Sequence, residues 1–91
     1  GADRVMLIIS NKSREIAKKI NCDLNRTSTA FKSIGCYSGN EGEAIVCAVR
    51  KNEVNKIYDI SKEIDTNVFI MVSCSSCEMI GSGFKSLHSV E

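Results

Sequence analysis

The apolar residues of this chain are concentrated in three short runs that have the length of β-strands. These runs are Val5–Ile9, Ala44–Val49 and Val68–Val72. All three contain β-branched residues and are bounded by polar ones, a pattern typical of strands buried in a sheet. A fourth segment, Arg26–Ile34, alternates only weakly between apolar and polar residues, and this pattern predicts a less buried strand near a sheet edge.

Two segments between these runs carry apolar residues at helical spacing. The first, Lys12–Leu24, places Ile16 and Ile20 on one side and charged residues on the other, so it predicts an amphipathic helix. The second begins near Asn52, a residue type that often caps a helix. Its apolar stripe predicts a second helix and consists of Val54, Ile57, Tyr58, Ser61 and Ile64.

The remaining segments are rich in glycine and predict turns. Ser33–Glu43 contains three of the six glycines and is expected to form a loop. Ser73–Phe84 is expected to form turns or one short extra strand. The resulting order, β-α-β-β-α-β, predicts an α+β fold, a ferredoxin-like sandwich with an antiparallel sheet and both helices on one face.

The strand runs are apolar at successive positions, so both faces of the predicted sheet carry apolar side chains. Two helices can cover only one of these faces. We therefore expect the other face to be covered by self-association or by another part of a longer protein. The alternative is that small residues such as Cys47 and Ala48 make this second face tolerable in water.

Length and charge narrow the function classes. The chain has 91 residues with 12 basic and 11 acidic side chains, so it is expected to be one domain over residues 1–91, with a core at about residues 4–85. A net charge of +1 creates no field that would attract a nucleic acid, which is excluded as a partner. No apolar run approaches the ~20 residues that cross a bilayer. Gly1 and Ala2 look like cloning remnants on an excised fragment, and residues 86–91 are expected to form a mobile tail.

The sequence offers little catalytic chemistry. His88 is the single histidine, and no catalytic triad is found, so we predict neither an enzyme nor a bound cofactor. The five cysteines are an odd number and indicate a reducing compartment. Cys74 and Cys77 have the spacing of a redox pair or of half a zinc site, but the rest of either site is missing, so they are interpreted as incidental and no metal site is predicted. The remaining cysteines are interpreted as small packing residues: Cys22, Cys36 and Cys47.

A ligand site is best supported where two glycine-rich segments meet. Glycines allow backbone N–H groups to approach an anion closely, and arginines can neutralise its charge. The candidate ligand-binding residues are Arg26, Gly35, Tyr37, Ser38, Gly39, Arg50, Gly81, Gly83 and Phe84. The alternative is that the glycines only serve turns and the basic side chains are solvated, because neither segment has the lysine and helix of a phosphate-binding loop.

Several stretches, in this order and at this spacing, resemble one known family. They are Val5–Ile9, then Gly35-Cys36-Tyr37-Ser38-Gly39 before Ala44–Val49, then Arg50-Lys51-Asn52-Glu53-Val54, then Glu63-Ile64-Asp65 leading into Val68–Val72, and the closing Gly81-Ser82-Gly83-Phe84. Together they resemble the small C-terminal domain of the YitT-type bacterial membrane proteins, a domain of unknown function. The sequence departs from that family at Arg26-Thr27, where members have a glycine after the arginine, and at Ser75-Ser76-Cys77-Glu78, where an aspartate precedes the closing turn.

The resemblance implies a cytosolic domain attached to a bundle of transmembrane helices, and hence a place on the cytoplasmic face of the bacterial cell membrane. It also implies a fold similar to the PII-like signalling proteins, which are trimers that bind small ligands, often nucleotides, between subunits. We therefore expect a regulatory domain that forms a homotrimer and binds a small anionic metabolite or nucleotide. Two alternatives stay open: a ligand-free oligomerisation module, and a redox or metal switch at Cys74 and Cys77.

Overall fold

The computed structural model of the protein describes residues 4–73. Its elements are β1 (Arg4–Ser10), α1 (Ser13–Leu24), β2 (Thr29–Ile34), β3 (Glu41–Val49), a 3-10 turn (Lys51–Glu53), α2 (Val54–Ile64) and β4 (Phe69–Val72). The expectations for the cysteines at positions 74 and 77, for an extra strand after β4, for the closing glycines and for the tail all lie outside the described residues.

The four strands form one antiparallel sheet in the order β2-β3-β1-β4. The connection through α1 takes the chain from β1 to β2, which is not its neighbour. β3 then returns as the hairpin partner of β2 and fills the position between them. β4 pairs with the other side of β1, where Ile9 lies opposite Phe69. Both helices pack on the same face of this sheet. The arrangement confirms the predicted ferredoxin-like α+β fold.

The core lies between the two helices and the sheet. Alternate residues of β1 and β3 point into it, as the period of a strand requires, and the stripe predicted for α1 meets them. The buried side chains of this cluster are Met6, Ile8, Ile16, Ile20, Ile45, Cys47, Val49, Ile57, Ile60 and Val68. Complete burial of one aliphatic side chain stabilises a fold by ~1.5–3 kcal/mol, so packing holds these two short helices in place more than helix propensity does.

The buried stripe of α2 differs from the predicted one in two side chains. Tyr58 is 46% exposed, whereas Ile60 is only 8% exposed and joins the core. Ser61 is fully buried, and its Oγ donates to the carbonyl oxygen of Ile57 at 2.7 Å. The predicted cap was also wrong, because Asn52 lies inside the 3-10 turn and the carboxylate of Glu53 accepts the N–H of Arg50 there at 2.8 Å.

The second strand is shorter at its start than predicted, and the third is longer. Asn25 adopts a left-handed conformation (φ 53°) at the end of α1, and its N–H donates to the carbonyl oxygen of Asn21 at 2.9 Å. The strand β2 therefore begins only at Thr29. The predicted loop contracts to residues 35–40, because the hydrogen-bonded ladder of the hairpin continues until Ile34 lies opposite Glu41.

Candidate functional site

One face of the sheet carries no helix and is apolar over most of its area. We call it the open face and define it by Val5, Leu7, Ile9, Thr29, Phe31, Ala44, Val46, Ala48, Phe69 and Met71. Along each strand these residues alternate with those that face the helices, so they point away from α1 and α2. The strand register aligns them in rows, one of which contains Phe69, Ile9, Ala44 and Phe31.

Large side chains of the open face are exposed to solvent. Phe31, Phe69 and Met71 are each 52–54% exposed, and Ile9 is 38% exposed. None of the elements formed by residues 4–73 covers them. The alternative was that small residues such as Cys47 and Ala48 reduce the apolar character of this second face. Ala48 does lie on the open face, but Cys47 is buried beneath the helices. The prediction of a second apolar face is thus supported by its large residues.

A shallow polar depression lies at one end of the sheet, beside the open face. We call it the polar trough, and its volume is about 340 Å³. It forms where β1 ends, where the β2–β3 hairpin turns and where the chain leaves α2 for β4. Its lining residues are Ile9, Ser10, Asn11, Ser33, Gly35, Ser38, Asn40, Glu41, Gly42, Asp65 and Asn67.

Hydrogen bonds fix one wall of the polar trough. The hydroxyl of Ser10 donates to Asp65 Oδ2 at 2.5 Å, and the N–H of Asn67 donates to Asp65 Oδ1 at 2.9 Å. These two bonds hold the pKa of Asp65 below its ordinary value, and the bond from Ser10 has the larger effect. The carboxylate is therefore ionised at neutral pH, and it joins the end of β1 to the turn after α2.

The hairpin forms the opposite wall of the polar trough. Gly35 donates its N–H to the carbonyl oxygen of Asn40 at 2.8 Å, and Ser38 Oγ accepts the N–H of Asn40 at 3.1 Å. Gly39 has φ +75°, which a side chain would strain. Tyr37 is fully exposed at the tip of the hairpin, so the structure does not pack it over the sheet. Of the predicted site residues, Gly35 and Ser38 line the trough.

The two predicted arginines lie at the other end of the sheet. Arg26 Nε donates to Glu53 Oε1 at 2.9 Å and to Oε2 at 3.2 Å, and Arg50 follows the last residue of β3. The length of β3, about 30 Å for nine residues, separates them from the hairpin. Within one chain the described members of the predicted ligand site therefore form two groups and not one cluster.

Glu53 is the partner that engages both arginines. Its carboxylate accepts the backbone N–H of Arg50 at 2.8 Å in addition to the guanidinium of Arg26. The bond from Arg50, then the one from Arg26, holds the pKa of Glu53 below its ordinary value. Since its charge is already paired, Arg26 contributes to the structure here and would have to leave Glu53 to bind an anion through the same atoms.

The described cysteines differ in their surroundings. Cys47 is buried, and its burial raises the pKa of the thiol. Cys22 and Cys36 are exposed, so the prediction that they are packing residues was wrong. Residues 4–73 contain no group of three or more histidine, cysteine, aspartate or glutamate side chains that could hold a metal ion.

A second cavity, which the sequence analysis missed, lies between the two helices. It has a volume of about 600 Å³ and an apolar floor of Ile60 and Ile64. Its rim carries charged residues of both signs, among them Lys18 and Glu63. Lys19 of this rim pairs with Asp23 outside the cavity at 3.3 Å, a surface ion pair of the kind found on ordinary solvated helices.

Four further members of the polar trough were not predicted from the sequence, namely Ser10, Asn11, Asp65 and Asn67. Their common signal is position, since two are at the end of β1 or just after it and two just before β4, and these strands are antiparallel neighbours. The end of one strand then meets the start of the other. Once the strand order of a ferredoxin-like sheet is assumed, the polar residues after β1 and before β4 can be predicted to lie close together.

A family model described as an uncharacterized protein conserved in bacteria (DUF2179) matches residues 26–76. The chain belongs to this family. A solved structure of a DUF2179 protein from Eubacterium ventriosum is similar, with 33% identity, a TM-score of 0.66, and coverage of 77% of this chain and 96% of that one. A protein described as functionally unknown from Pediococcus pentosaceus has the same fold, with a TM-score of 0.63 at 13% identity over 85% of this chain and 95% of that one.

Relatives of this DUF2179 domain include membrane proteins. The UPF0750 membrane protein YpjC of Bacillus subtilis is 34% identical over 85% of this chain, and YvjA of the same organism is 28% identical over 90%. The chain spans only 26% and 29% of their respective lengths. An uncharacterized protein in the cccA 5' region of Bacillus sp. (strain PS3) is 27% identical over 93% of this chain, which spans 56% of its length. These matches confirm the resemblance to the domain of the YitT-type membrane proteins.

The helices of the described part of this domain are too short to span a membrane. In residues 4–73, no helix combines the required length with sufficient hydropathy. The longer of the two, α1, has 12 residues and a mostly polar outer face.

Proposed function

We propose that this chain is a non-catalytic regulatory domain of a bacterial membrane protein, that it lies on the cytoplasmic side, and that it works as a homo-oligomer which binds a small anionic metabolite or nucleotide. The observation that carries the proposal is the open face. Attachment to a membrane portion is supported by the relatives YvjA and YpjC, which are named membrane proteins and of which this chain spans only 29% and 26%.

Self-association follows from the chemistry of the open face. Apolar patches of several hundred Å² on soluble proteins mark surfaces that bind a partner. Phe31, Phe69 and Met71 are half exposed there, and such aromatic and methionine side chains are enriched at protein interfaces. A copy of the same chain offers a matching apolar face. A homotrimer is the favoured assembly because of the resemblance to PII-like proteins.

The ligand part of the proposal rests on the place of the polar trough. Ile9, Ser33 and Gly42 line the trough and lie on the open-face side of the sheet. A second copy seated on the open face would border the trough and turn a shallow depression into a cleft. Occupancy of such a cleft would change how two copies meet, which is a route by which ligand binding can shift a conformational equilibrium.

The non-catalytic part of the proposal is supported by the groups in the polar trough. Its titratable side chains are Glu41 and Asp65. Asp65 is hydrogen-bonded through both oxygens, and its lowered pKa makes it a poor proton donor or acceptor at neutral pH. The trough has hydroxyl groups, but its described lining has no histidine, cysteine or lysine that would activate one of them as a nucleophile.

The experiment that tests the proposal combines two measurements on the reduced full chain. Light scattering gives the mass of the particle, and thermal unfolding is followed with a panel of nucleotides and small anions. We expect an oligomer, and a ligand at 100 times its dissociation constant should add about 2.7 kcal/mol of stability, which corresponds to several degrees for a domain of this size. A monomer at tens of micromolar would contradict the self-association, and a flat panel would contradict the ligand.

A second candidate function is a ligand-free oligomerisation module. The open face supports it equally well, because burial of this face requires no ligand. An oligomer with a flat ligand panel would favour this candidate. The switch at Cys74 and Cys77 remains a third hypothesis. Metal analysis and thiol titration of the protein purified without chelator test it, and a metal-free protein with both thiols unreactive would contradict it.

A further inference from the structure

The charged side chains of the described residues are unevenly distributed over the molecule. One end of the sheet, which we call the basic end, is where β1 begins, where the chain passes from α1 to β2, and where β3 leads into α2. Its charged residues are Arg4, Asp23, Arg26, Arg50, Lys51, Glu53 and Lys56. Five of these are basic and two acidic, whereas the other charged residues among 4–73 are six basic and six acidic. The net positive charge of the described part is therefore located at the basic end.

Contacts join several members of the basic end. Arg4 lies opposite Val49, the last residue of β3, so it is close to Arg50, which follows that strand. Glu53 accepts hydrogen bonds from the guanidinium of Arg26 at 2.9 Å and from the N–H of Arg50 at 2.8 Å. One carboxylate thus lies among three arginines, and it compensates a single positive charge.

The other acidic residue of the basic end does not compensate the rest. Asp23 pairs with Lys19 of α1 at 3.3 Å. Three of the basic residues, Arg50, Lys51 and Lys56, are exposed to solvent. The basic end therefore presents a positively charged surface, and such a surface attracts anionic groups.

The chain also enters and leaves the described part of the domain at the basic end. β1 begins there with Arg4, and β4 runs antiparallel to β1 towards the same end. Ser73 follows β4, and its N–H donates to the carbonyl oxygen of Val5 at 2.9 Å. The relatives YvjA and YpjC are named membrane proteins, and this chain spans 29% and 26% of them. A membrane portion joined to the domain on either side would continue from the basic end.

We propose that the basic end faces the membrane and binds the headgroups of anionic lipids. This inference rests on the proposed function, because it requires attachment to a membrane portion on the cytoplasmic side. Anionic lipids give that leaflet a negative surface potential, and each lysine or arginine close to it raises the affinity about fivefold. The strands then run away from the membrane surface, so the open face stays accessible to a second copy.

The test is sedimentation of the full chain with sucrose-loaded vesicles at millimolar lipid. Vesicles of phosphatidylcholine alone are compared with vesicles that also contain phosphatidylglycerol. The protein should bind only the second kind, and more weakly as the salt concentration rises. The double variant Lys51→Gln with Lys56→Gln removes two charges from the basic end, so its affinity should fall on the order of twentyfold.

The matched control is the double variant Lys32→Gln with Lys62→Gln, which removes the same charge from the other end of the domain. Lys32 lies opposite Glu43, about 20 Å along β3 from Val49, and Lys62 is in the last turn of α2. At about 0.1 M salt a charge is screened within about 10 Å, so this variant should bind nearly as well as wild type. Unfolding curves establish that both double variants are folded.

Each contrary outcome overturns the inference in its own way. Equal binding to phosphatidylcholine alone would assign the contact to the apolar open face, and no binding to either vesicle would exclude the lipid surface. An equal loss in the two double variants would assign binding to net charge and not to the basic end. Stronger displacement by sodium phosphate than by sodium chloride at equal ionic strength would make the basic end a site for small anions. None of these results alters the oligomer mass or the ligand panel, which test the proposed function separately.

Discussion

Glu53 connects the end of β3, the start of α2 and the segment before β2. Its side chain is 16% exposed, and it accepts the N–H of Arg50 and the guanidinium of Arg26. Glu53 is the third residue of the 3-10 turn, and its carboxylate accepts the N–H of the residue before that turn, which is the role of the glutamate in a capping box. It also compensates the charge of Arg26, whose side chain is only 29% exposed.

We predict that Glu53→Gln lowers the free energy of unfolding by about 1 kcal/mol at pH 7, because a charge-assisted hydrogen bond is lost and Arg26 keeps an unpaired charge. The pKa of Glu53 is depressed in the folded state, so its contribution is present above the ordinary value of 4.5 and is lost as the pH falls through the folded value. Urea unfolding at a series of pH values measures this.

The matched control for Glu53 is Glu63→Gln, since Glu63 is exposed on α2. Its unfolding midpoint should follow that of wild type at every pH. The destabilisation caused by Glu53→Gln should shrink as the pH falls through the lowered pKa of Glu53, because the wild-type side chain then becomes neutral as well. A constant difference across the whole pH range would show that the effect is one of shape and not of charge.

Burial divides the described cysteines into two reactivity classes. Cys47 is 1% exposed with a raised pKa, whereas Cys22 and Cys36 are exposed. We predict that an alkylating reagent at pH 8 modifies Cys22 and Cys36 readily and modifies Cys47 only after unfolding, because the thiolate is the reactive species and it is rare at Cys47. Mass spectrometry of the digested protein identifies the sites. Rapid native modification of Cys47 would contradict its place in the core.

At the scale of the elements, the β2–β3 hairpin depends on one backbone conformation. Gly39 has φ +75°, and no atom lies within 4 Å of the point that an added Cβ would occupy, so strain and not a clash opposes substitution. We predict that Gly39→Ala destabilises the domain by about 1 kcal/mol. Gly42→Ala is the control, because its new methyl group would lie at an ordinary 3.6 Å from Ser33 Oγ. Equal unfolding midpoints for the two variants would contradict this account.

The elements themselves could be predicted from sequence, and the reason is visible in α1. Ile16 and Ile20 lie at helical spacing in a segment with no competing apolar residue on the other side, so one pattern decided the buried face. In α2 the periodicity assigned Tyr58 to the buried stripe, whereas in the structure Ile60 is buried and Tyr58 is half exposed. A tyrosine keeps its hydroxyl in water, and the isoleucine takes the buried place.

The candidate site could be predicted only in its local part. The glycines at positions 35 and 39 mark a turn from their own conformational preference, and that turn exists. Which residues share a site with this turn depends on the strand order, which local patterns do not contain. The order β2-β3-β1-β4 brings Asp65 and Asn67 to the hairpin end and carries Arg26 and Arg50 to the opposite end.

At the scale of the whole molecule, self-association through the open face would make the stability of the fold depend on assembly. A folded state that binds copies of itself is stabilised by mass action, so its melting temperature depends on protein concentration. Val46 is the residue that tests this connection, because it is partly buried in the middle of the open face, opposite Leu7 and Thr29. A charge at this position costs little in a monomer with a free face and much in a dry interface.

We predict that the melting temperature of wild type rises by several degrees between about 1 and about 100 μM, since each tenfold rise in concentration adds about 1.4 kcal/mol per association step. Val46→Glu should remove this dependence and give a folded monomer, as light scattering and circular dichroism would report. The control Tyr58→Glu alters an exposed aromatic residue on the helix side and should keep both the oligomer and the dependence. If Val46→Glu stays an oligomer of the same mass with the same concentration dependence, self-association through the open face is refuted.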